Sequence, residues 1–338
     1  MLDGKIAIVT GAGQGLGRGI ACEMARQRAA GIAVVDRNRH TAEETAALVK
    51  NLGSEVLAIE CNLRDRDQIQ AAVDSAAAHF GGLDVLVNNA GIVETTMTAD
   101  CAVDTLPEDV WDAVYEVNLR APWLATKFAA PYLRRSDRGP NIVNACSVGG
   151  LVAFPRAPAY CATKGGIAQL TRATAVDLGP AVRCNAYAPG AIDTPMAREH
   201  VKNATDPAAA EWELTAPQVN GRLGTPEEVG KLVCFLASDD AAFLTGAVIP
   251  IDGGFLAWGA AGPGRTLTRV RKEEADDDEA RRQGGRRHRR RGRYRRGALS
   301  PARRRGSPGG RARHLPSGRA AGDQGDRRRA GRRGRRQR

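Results

Sequence analysis

The sequence predicts an α/β domain of the doubly wound kind over its first 260 or so residues, a parallel sheet with helices on both faces. Two observations carry that expectation. Short apolar runs alternate with longer segments in which apolar residues recur at helical spacing, the mark of repeated strand-helix units. Right-handed crossovers are nearly obligatory between such units, so the sheet winds outward in both directions and leaves a ligand crevice beyond the carboxyl ends of its strands. A stretch of that length buries one sizeable core without disulfides or metals. No fixed-period repeat interrupts it.

The elements follow in order. Lys5-Ile-Ala-Ile-Val-Thr10 makes Ile6–Thr10 the first buried strand, which leaves no room for the charged and apolar regions of a secretion signal. Leu16–Gln27 is helical, with Ile20 and Met24 one turn apart. The strand Ile32–Asp36 precedes the helix Ala42–Leu52, whose Ala42, Ala46 and Val49 share a face. Val56–Cys61 and Val85–Asn88 are strands separated by the helix Asp67–Phe80. Glu108–Arg134 is helical with an interruption near Pro122, and Ile142–Ala145 is the fifth strand. The helix Tyr160–Leu178, the strand Val182–Ala186, the helix Pro226–Ala237 and a seventh strand Ala247–Ile251 complete the pattern. No apolar run approaches the ~20 residues of a membrane span.

Charge divides the chain sharply. The formal net charge is +12 over 338 residues, yet residues 1–260 hold 22 Lys and Arg against 30 Asp and Glu. Residues 261–338 hold 28 against 8, with 27 Arg, 14 Gly and a single aromatic, Tyr294. A segment so poor in large apolar residues cannot bury enough surface to offset the cost of ordering its chain, so residues 259–338 are expected to be a disordered basic tail. The seven cysteines are scattered and never in a C-x-x-C pair, so neither a disulfide framework nor a zinc site is indicated, and a cytoplasmic setting is expected.

The first chemical signal is Thr10-Gly-Ala-Gly-Gln-Gly-Leu-Gly17, between the first strand and a helix. Gly11, Gly15 and Gly17 let the backbone turn tightly and approach a pyrophosphate, whose charge faces the helix amides; the plain alternative is a tight turn alone. Asp36 ends the second strand 19 residues on, where a carboxylate can accept from both hydroxyls of an adenosine ribose and would repel a 2′-phosphate. That favours NAD over NADP, although Asp36 could instead cap its own turn and Arg37 or Arg39 could attract a phosphate. Asn88-Asn-Ala-Gly91 and Cys61-Asn-Leu63 follow the fourth and third strands at the crevice rim, where Asn and Gly are also ordinary turn residues.

The second signal is Tyr160 and Lys164, spaced one helical turn apart in Tyr-Cys-Ala-Thr-Lys. An ammonium close to a phenol stabilises the phenolate and lowers a pKa of about 10, which fits tyrosine for proton exchange near neutral pH. Ser147, just past the fifth strand, can hydrogen-bond the same substrate oxygen. Taken alone, such a pair is as readily an amphipathic surface feature.

Together these residues resemble the short-chain dehydrogenase/reductase family from residue 2 to about 258. Thr10-Gly-x-x-x-Gly-x-Gly17, Asn88-Asn-Ala-Gly91, Asn118, Ser147, Tyr160-x-x-x-Lys164, Pro189-Gly190 and Asp252-Gly-Gly254 stand in the family's order and near its spacing. The resemblance implies a single Rossmann-like domain with a seven-stranded parallel sheet, assembled as a homotetramer or homodimer. It implies Tyr160 as general acid/base, Ser147 orienting the carbonyl or alcohol, Lys164 tuning Tyr160 and holding the nicotinamide ribose, and Asn118 positioning a relay water. For the nucleotide it implies Gly11, Gln14, Gly15, Leu16 and Gly17 at the pyrophosphate and Asp36 and Arg37 at the adenosine ribose end. It further implies Asn62 and Leu63 at the adenine, Asn89, Ala90 and Gly91 behind the ribose, and Pro189, Gly190, Ile192 and Thr194 at the nicotinamide. No metal is needed.

Three departures stand out: Asn62 where the family most often has Asp, Cys146 before the catalytic Ser, and a stretch from Ile92 to Pro107 about five residues longer than usual. Substrate contacts are expected from Gly149–Pro158 and Ala191–Asn220, with Phe154, Met196 and Trp212 lining an apolar pocket and Arg156 able to anchor a carboxylate. A secondary alcohol or ketone on a hydrophobic or alicyclic frame follows. An acyl-carrier-protein ketoreductase is the enzymatic alternative, disfavoured by Asp36 because those enzymes commonly prefer NADP. From a different class, Arg286-Arg-His-Arg-Arg-Arg291 and its neighbours could bind nucleic acid through phosphates, without the aromatics that stack on single-stranded bases. The blander account of that tail is a frame error in GC-rich coding sequence.

Overall fold

The computed structural model describes residues 1–258, so the expectations for residues 259–338 lie outside the described residues. Seven strands, β1 (Ile6–Thr10), β2 (Gly31–Asp36), β3 (Glu55–Glu60), β4 (Val85–Asn88), β5 (Asn141–Ala145), β6 (Arg183–Pro189) and β7 (Val248–Ile251), form one sheet in the order β3-β2-β1-β4-β5-β6-β7. Every pairing is parallel. The order reverses between β1 and β4, which makes that junction the switch point where a crevice opens.

Alternation along β1 divides the core. Ala7 and Val9 join Ile20 and Met24 of α1 (Gly15–Arg26) and Val229 and Val233 of α9 (Pro226–Ala237) on one face. Ile6 and Ile8 join Ile69 and Val73 of α3 (Arg66–Phe80) and Leu124 and Leu133 of α5 (Ala121–Leu133) on the other. Each large aliphatic side chain so enclosed contributes about 1.5 to 3 kcal/mol relative to exposure. A smaller cluster, Cys146, Ile167, Ala168, Ala186 and Ala188, seats α6 (Pro158–Leu178) on β5 and β6. The remaining helices are α2 (Arg39–Asn51), α4 (Glu108–Tyr115), α7 (Pro195–Asn203) and α8 (Pro207–Thr215).

The end of the sheet away from the crevice is pinned by Asp84, which is fully buried. Its Oδ2 accepts from the Ile6 amide at 2.7 Å and Arg138 Nε at 2.9 Å, and its Oδ1 from Ser136 Oγ at 2.5 Å. Truncation to alanine orphans a buried amide and a guanidinium together. Asp84→Ala is therefore expected to lower unfolding free energy by about 3 kcal/mol, read by urea denaturation. A loss below about 1 kcal/mol would show that water satisfies those donors.

Two regions differ from the sequence reading. The break in the long helix falls at Glu116–Arg120, a π-type turn between α4 and α5, and Pro122 simply sits in the first turn of α5. Asn118 lies within that turn, its amide directed inward to a backbone partner described below. Residues 191–220, read only as a source of substrate contacts, contain α7 and α8. Thr194 caps α7 through the Ala197 amide and Asp206 caps α8 through the Ala208 and Ala209 amides, each followed by a proline. Those cap-proline pairs were the available signal.

Candidate active site

Beyond β1 the chain turns through Gly11, in the left-handed region at φ 62°. Close approach, as well as backbone freedom, demands glycine here: a Cβ on Gly11 would lie 2.8 Å from Ala90 Cα, and one on Gly17 2.1 Å from Gly11 O. Helix α1 then opens at Gln14 with no side-chain cap and no acidic residue in its first turn. Its first amides and positive dipole end thus face the crevice with no capping side chain of their own, the donor set a pyrophosphate needs. Thr194, in the chain after β6, has its Cβ 3.6 Å from where a Gly15 Cβ would stand, and Leu16 packs on the core.

Asp36 lies half-buried at the end of β2 against the glycine turn. Its Oδ2 accepts from the Gly13 amide at 2.9 Å and its Oδ1 from the Asn38 amide at 3.0 Å. Each oxygen keeps acceptor capacity, so turn-capping and sugar recognition are compatible. Arg37 is exposed, and Arg39 is paired with Glu43 at 2.8 Å. Asn62 is exposed, its Oδ1 already accepting from the Arg64 amide at 3.1 Å, while Leu63 packs on the core.

Asn89 ties the end of β4 to the glycine turn, donating to Thr10 O at 2.8 Å and accepting from Tyr187 Oη at 2.9 Å. Ala90 donates to Thr10 Oγ1 at 3.2 Å. The fully buried Tyr187 is a supporting residue the sequence reading missed, since the expected strand Val182–Ala186 stops one residue short of it and β6 runs on to Pro189. Gly190 must lack a Cβ, which would meet Asp252 Cα at 2.9 Å, and Pro189 pairs with Ile251 on β7. Ile192 is buried and bridges to Gly224.

Ser147, Tyr160, Lys164 and Asn118 converge around the carboxyl end of β5. Ser147 is buried and its Oγ accepts from the Gly149 amide at 3.0 Å. Lys164 is buried, its Nζ donating to Ala145 O at 2.8 Å and standing 5.7 Å from the Tyr160 ring centroid. Burial pushes the Lys164 ammonium down from 10.5 to about 8. Burial also pushes the Tyr160 phenol above its ordinary value, with Ser147 opposing and Glu94 adding to the rise. Desolvation is thus the largest influence on both groups. Asn118 is buried and grips Ile92 by both main-chain groups, Ile92 N to Oδ1 at 2.8 Å and Nδ2 to Ile92 O at 2.8 Å. Asn118 Oδ1 and Lys164 Nζ border the same Cβ-free side of Gly91, 3.5 and 3.2 Å from a Cβ built there.

Of the substrate residues, Phe154 stands closest. A Cβ on Gly149 would touch Phe154 Cε2 at 3.0 Å and Tyr160 Cε1 at 3.2 Å, so the two rings flank one glycine. Phe255, which the sequence reading missed, meets Phe154 edge-on with centroids 6.0 Å apart. Arg156 is exposed, holds a left-handed backbone at φ 58°, and turns its guanidinium to Ala99 O in the long 92–107 stretch. That stretch accordingly braces the substrate loop. Met196 and Trp212 lie on α7 and α8 with much of each side chain exposed.

Among the described residues, no group of three or more His, Cys, Asp or Glu is arranged to hold a metal, and no helix is long and apolar enough to cross a membrane. The family model described as enoyl-(acyl carrier protein) reductase matches residues 11–256. The 3-oxoacyl-[acyl-carrier-protein] reductase of Thermotoga maritima is 37% identical over 256 residues, covering 75% of this chain and 99% of that protein. The cis-4-hydroxycyclohexanecarboxylate dehydrogenase of Sinomonas cyclohexanicum is 37% identical, covering 75% and 97%. A solved short-chain type dehydrogenase/reductase from Mycobacterium marinum superposes with a TM-score of 0.66 at 31% identity, covering 75% and 96%. The chain belongs to the short-chain dehydrogenase/reductase family and is an oxidoreductase of alcohol and ketone groups that works with a nicotinamide cofactor.

Proposed function

We propose that the protein interconverts a secondary alcohol on a hydrophobic or alicyclic frame and its ketone, with NAD as the preferred nucleotide and Tyr160 as general acid/base. The observation that carries it is the convergence of Ser147, Tyr160 and Lys164 at the carboxyl end of β5, beside an uncapped helix start and an aspartate that suit a dinucleotide. The bound nicotinamide supplies the hydride acceptor for oxidation and the donor for reduction. Tyr160 takes the proton from the hydroxyl during oxidation and returns it during reduction. Ser147 holds the same oxygen, its own hydroxyl already oriented by the Gly149 amide. Lys164 and Asn118, sharing the open side of Gly91, form the outlet through which that proton reaches solvent.

Phe154 and Phe255 wall the substrate with aromatic faces, which favours a ring or apolar chain over a charged one. Arg156, turned to Ala99, supplies no carboxylate anchor in this reading. The exposed Trp111, Tyr115 and Trp123 on α4 and α5 make an apolar surface suited to assembly into a homodimer or homotetramer. A cytoplasmic setting suits seven free cysteines, and catalysis is assigned to residues 1–258.

A panel of cyclic and aryl secondary alcohols tests the reading by absorbance of the reduced nicotinamide. The expected result is a lower KM for NAD than for NADP, and Asp36→Ala raising the KM for NAD about tenfold or more. Equal use of both nucleotides by the native protein would refute the NAD preference. The Thermotoga relative favours a second reading, reduction of 3-oxoacyl thioesters of acyl carrier protein. Faster turnover of such thioesters with NADPH than of any alcohol would establish it instead.

A further inference from the structure

Helix α6 carries Tyr160 as its third residue, after Pro158 and Ala159. Its cap residue is Ala157, which has no side chain able to hold the amides of Ala159 and Tyr160. A carboxylate 65 residues upstream holds them instead. Glu94 is fully buried, its Oε1 accepting from the Ala159 amide at 2.9 Å and the Tyr160 amide at 3.2 Å, and its Oε2 from the Tyr160 amide at 3.2 Å. Among the described residues no Lys, Arg or His lies within salt-bridge distance of it. Burying a carboxylate without a cation is costly, and what offsets the cost here is the pair of amides and the positive end of a 21-residue helix.

Glu94 is also held from behind. It stands two residues beyond Ile92, the residue whose amide and carbonyl are both gripped by Asn118. A continuous set of bonds therefore runs from Asn118 through the short segment Ile92-Val-Glu94 to the main chain of Tyr160.

Resting on the reaction proposed above, we propose that Glu94 is a positioning residue for Tyr160, a remote cap that locks the start of the catalytic helix to the segment following β4 and holds a carboxylate on the Tyr160 amide. The other groups facing Tyr160 are Lys164 and Cys161 from its own helix, Ser147 and Cys146 from the end of β5, and Tyr187 from β6. Glu94 is the carboxylate among them, so its charge opposes phenolate formation while Ser147 favours it.

Glu94→Gln keeps the shape and one acceptor oxygen but removes the charge; Glu94→Ala removes the cap. In the nucleotide-free protein, ultraviolet difference titration with Tyr160→Phe as the subtraction is expected to place the Tyr160 phenol of Glu94→Gln about half a pH unit or more below native. In alcohol oxidation at saturating NAD, the rising limb of kcat/KM moves the same way. Glu94→Ala lowers kcat about tenfold or more with a smaller change in the KM for alcohol, and Glu94→Asp restores part of it. Titration curves that superimpose for native and Glu94→Gln overturn any influence of the amide-bound carboxylate on the phenol. Full kcat in Glu94→Ala overturns the cap. Because the titration needs no substrate, an inactive native protein would count against the proposed reaction and leave this inference to be decided by the titration itself.

Discussion

Tyr160→Phe is expected to lower kcat for alcohol oxidation by about 10²- to 10⁴-fold, the range general acid/base catalysis supplies, with NAD affinity within about twofold of native. The phenyl ring keeps the packing against Gly149 and Phe154, so only the hydroxyl is lost. Steady-state kinetics and nucleotide titration by fluorescence separate the two effects. Turnover within a few-fold of native would remove Tyr160 from the chemistry, and a matching loss of nucleotide affinity would make its role structural.

Lys164→Met is expected to abolish turnover and, at the same time, to stabilise the nucleotide-free protein. The ammonium is buried against one carbonyl, and its pKa falls from 10.5 to about 8 on folding. Between those values the unfolded chain holds more protons than the folded one, so this group makes stability rise with pH through that window. Below about pH 8 both states are protonated and the folded state carries the full cost, about 3 kcal/mol. Methionine fills a similar volume with no charge to desolvate. Thermal unfolding should therefore show the variant above native at pH 7, with the gap narrowing toward pH 10. A variant less stable than native at pH 7 would mean that the amine's bond to Ala145 outweighs its desolvation. Such a trade of stability for function is common at active sites.

How much was legible beforehand varies by element. The seven strands stand within three residues of their expected ends, because a run such as Ile6–Thr10, buried on both faces, has no other stable placement in a parallel sheet. The convergence of Ser147, Tyr160 and Lys164 was legible because Tyr160 and Lys164 share a helix face and Ser147 follows a strand, and the family resemblance added Asn118 to them. The π-type turn was not, since its Asn118 is partnered by Ile92 in a way that no local propensity encodes. Arg156 read as a carboxylate anchor because an arginine in a pocket loop can serve as one; its actual partner, Ala99, lies 57 residues away.

Periodicity and composition alone therefore determined the doubly wound sheet, the crevice at its switch point and the acidic character of residues 1–260, while the roles expected of Ser147, Tyr160, Lys164 and Asn118 came from the family resemblance. Such signals are local: they depend on a residue's neighbours within one turn or one strand. Only the tertiary structure decided that Glu94 caps the helix of Tyr160, that Tyr187 supports Asn89, that Phe255 faces Phe154, and that burial pushes Lys164 down and Tyr160 up. Each of the three contacts joins segments far apart in the chain, and desolvation is a property of the whole enclosure. Hydrogen bonds across such separations are selected by packing, which fixes distance and orientation that sequence spacing does not carry.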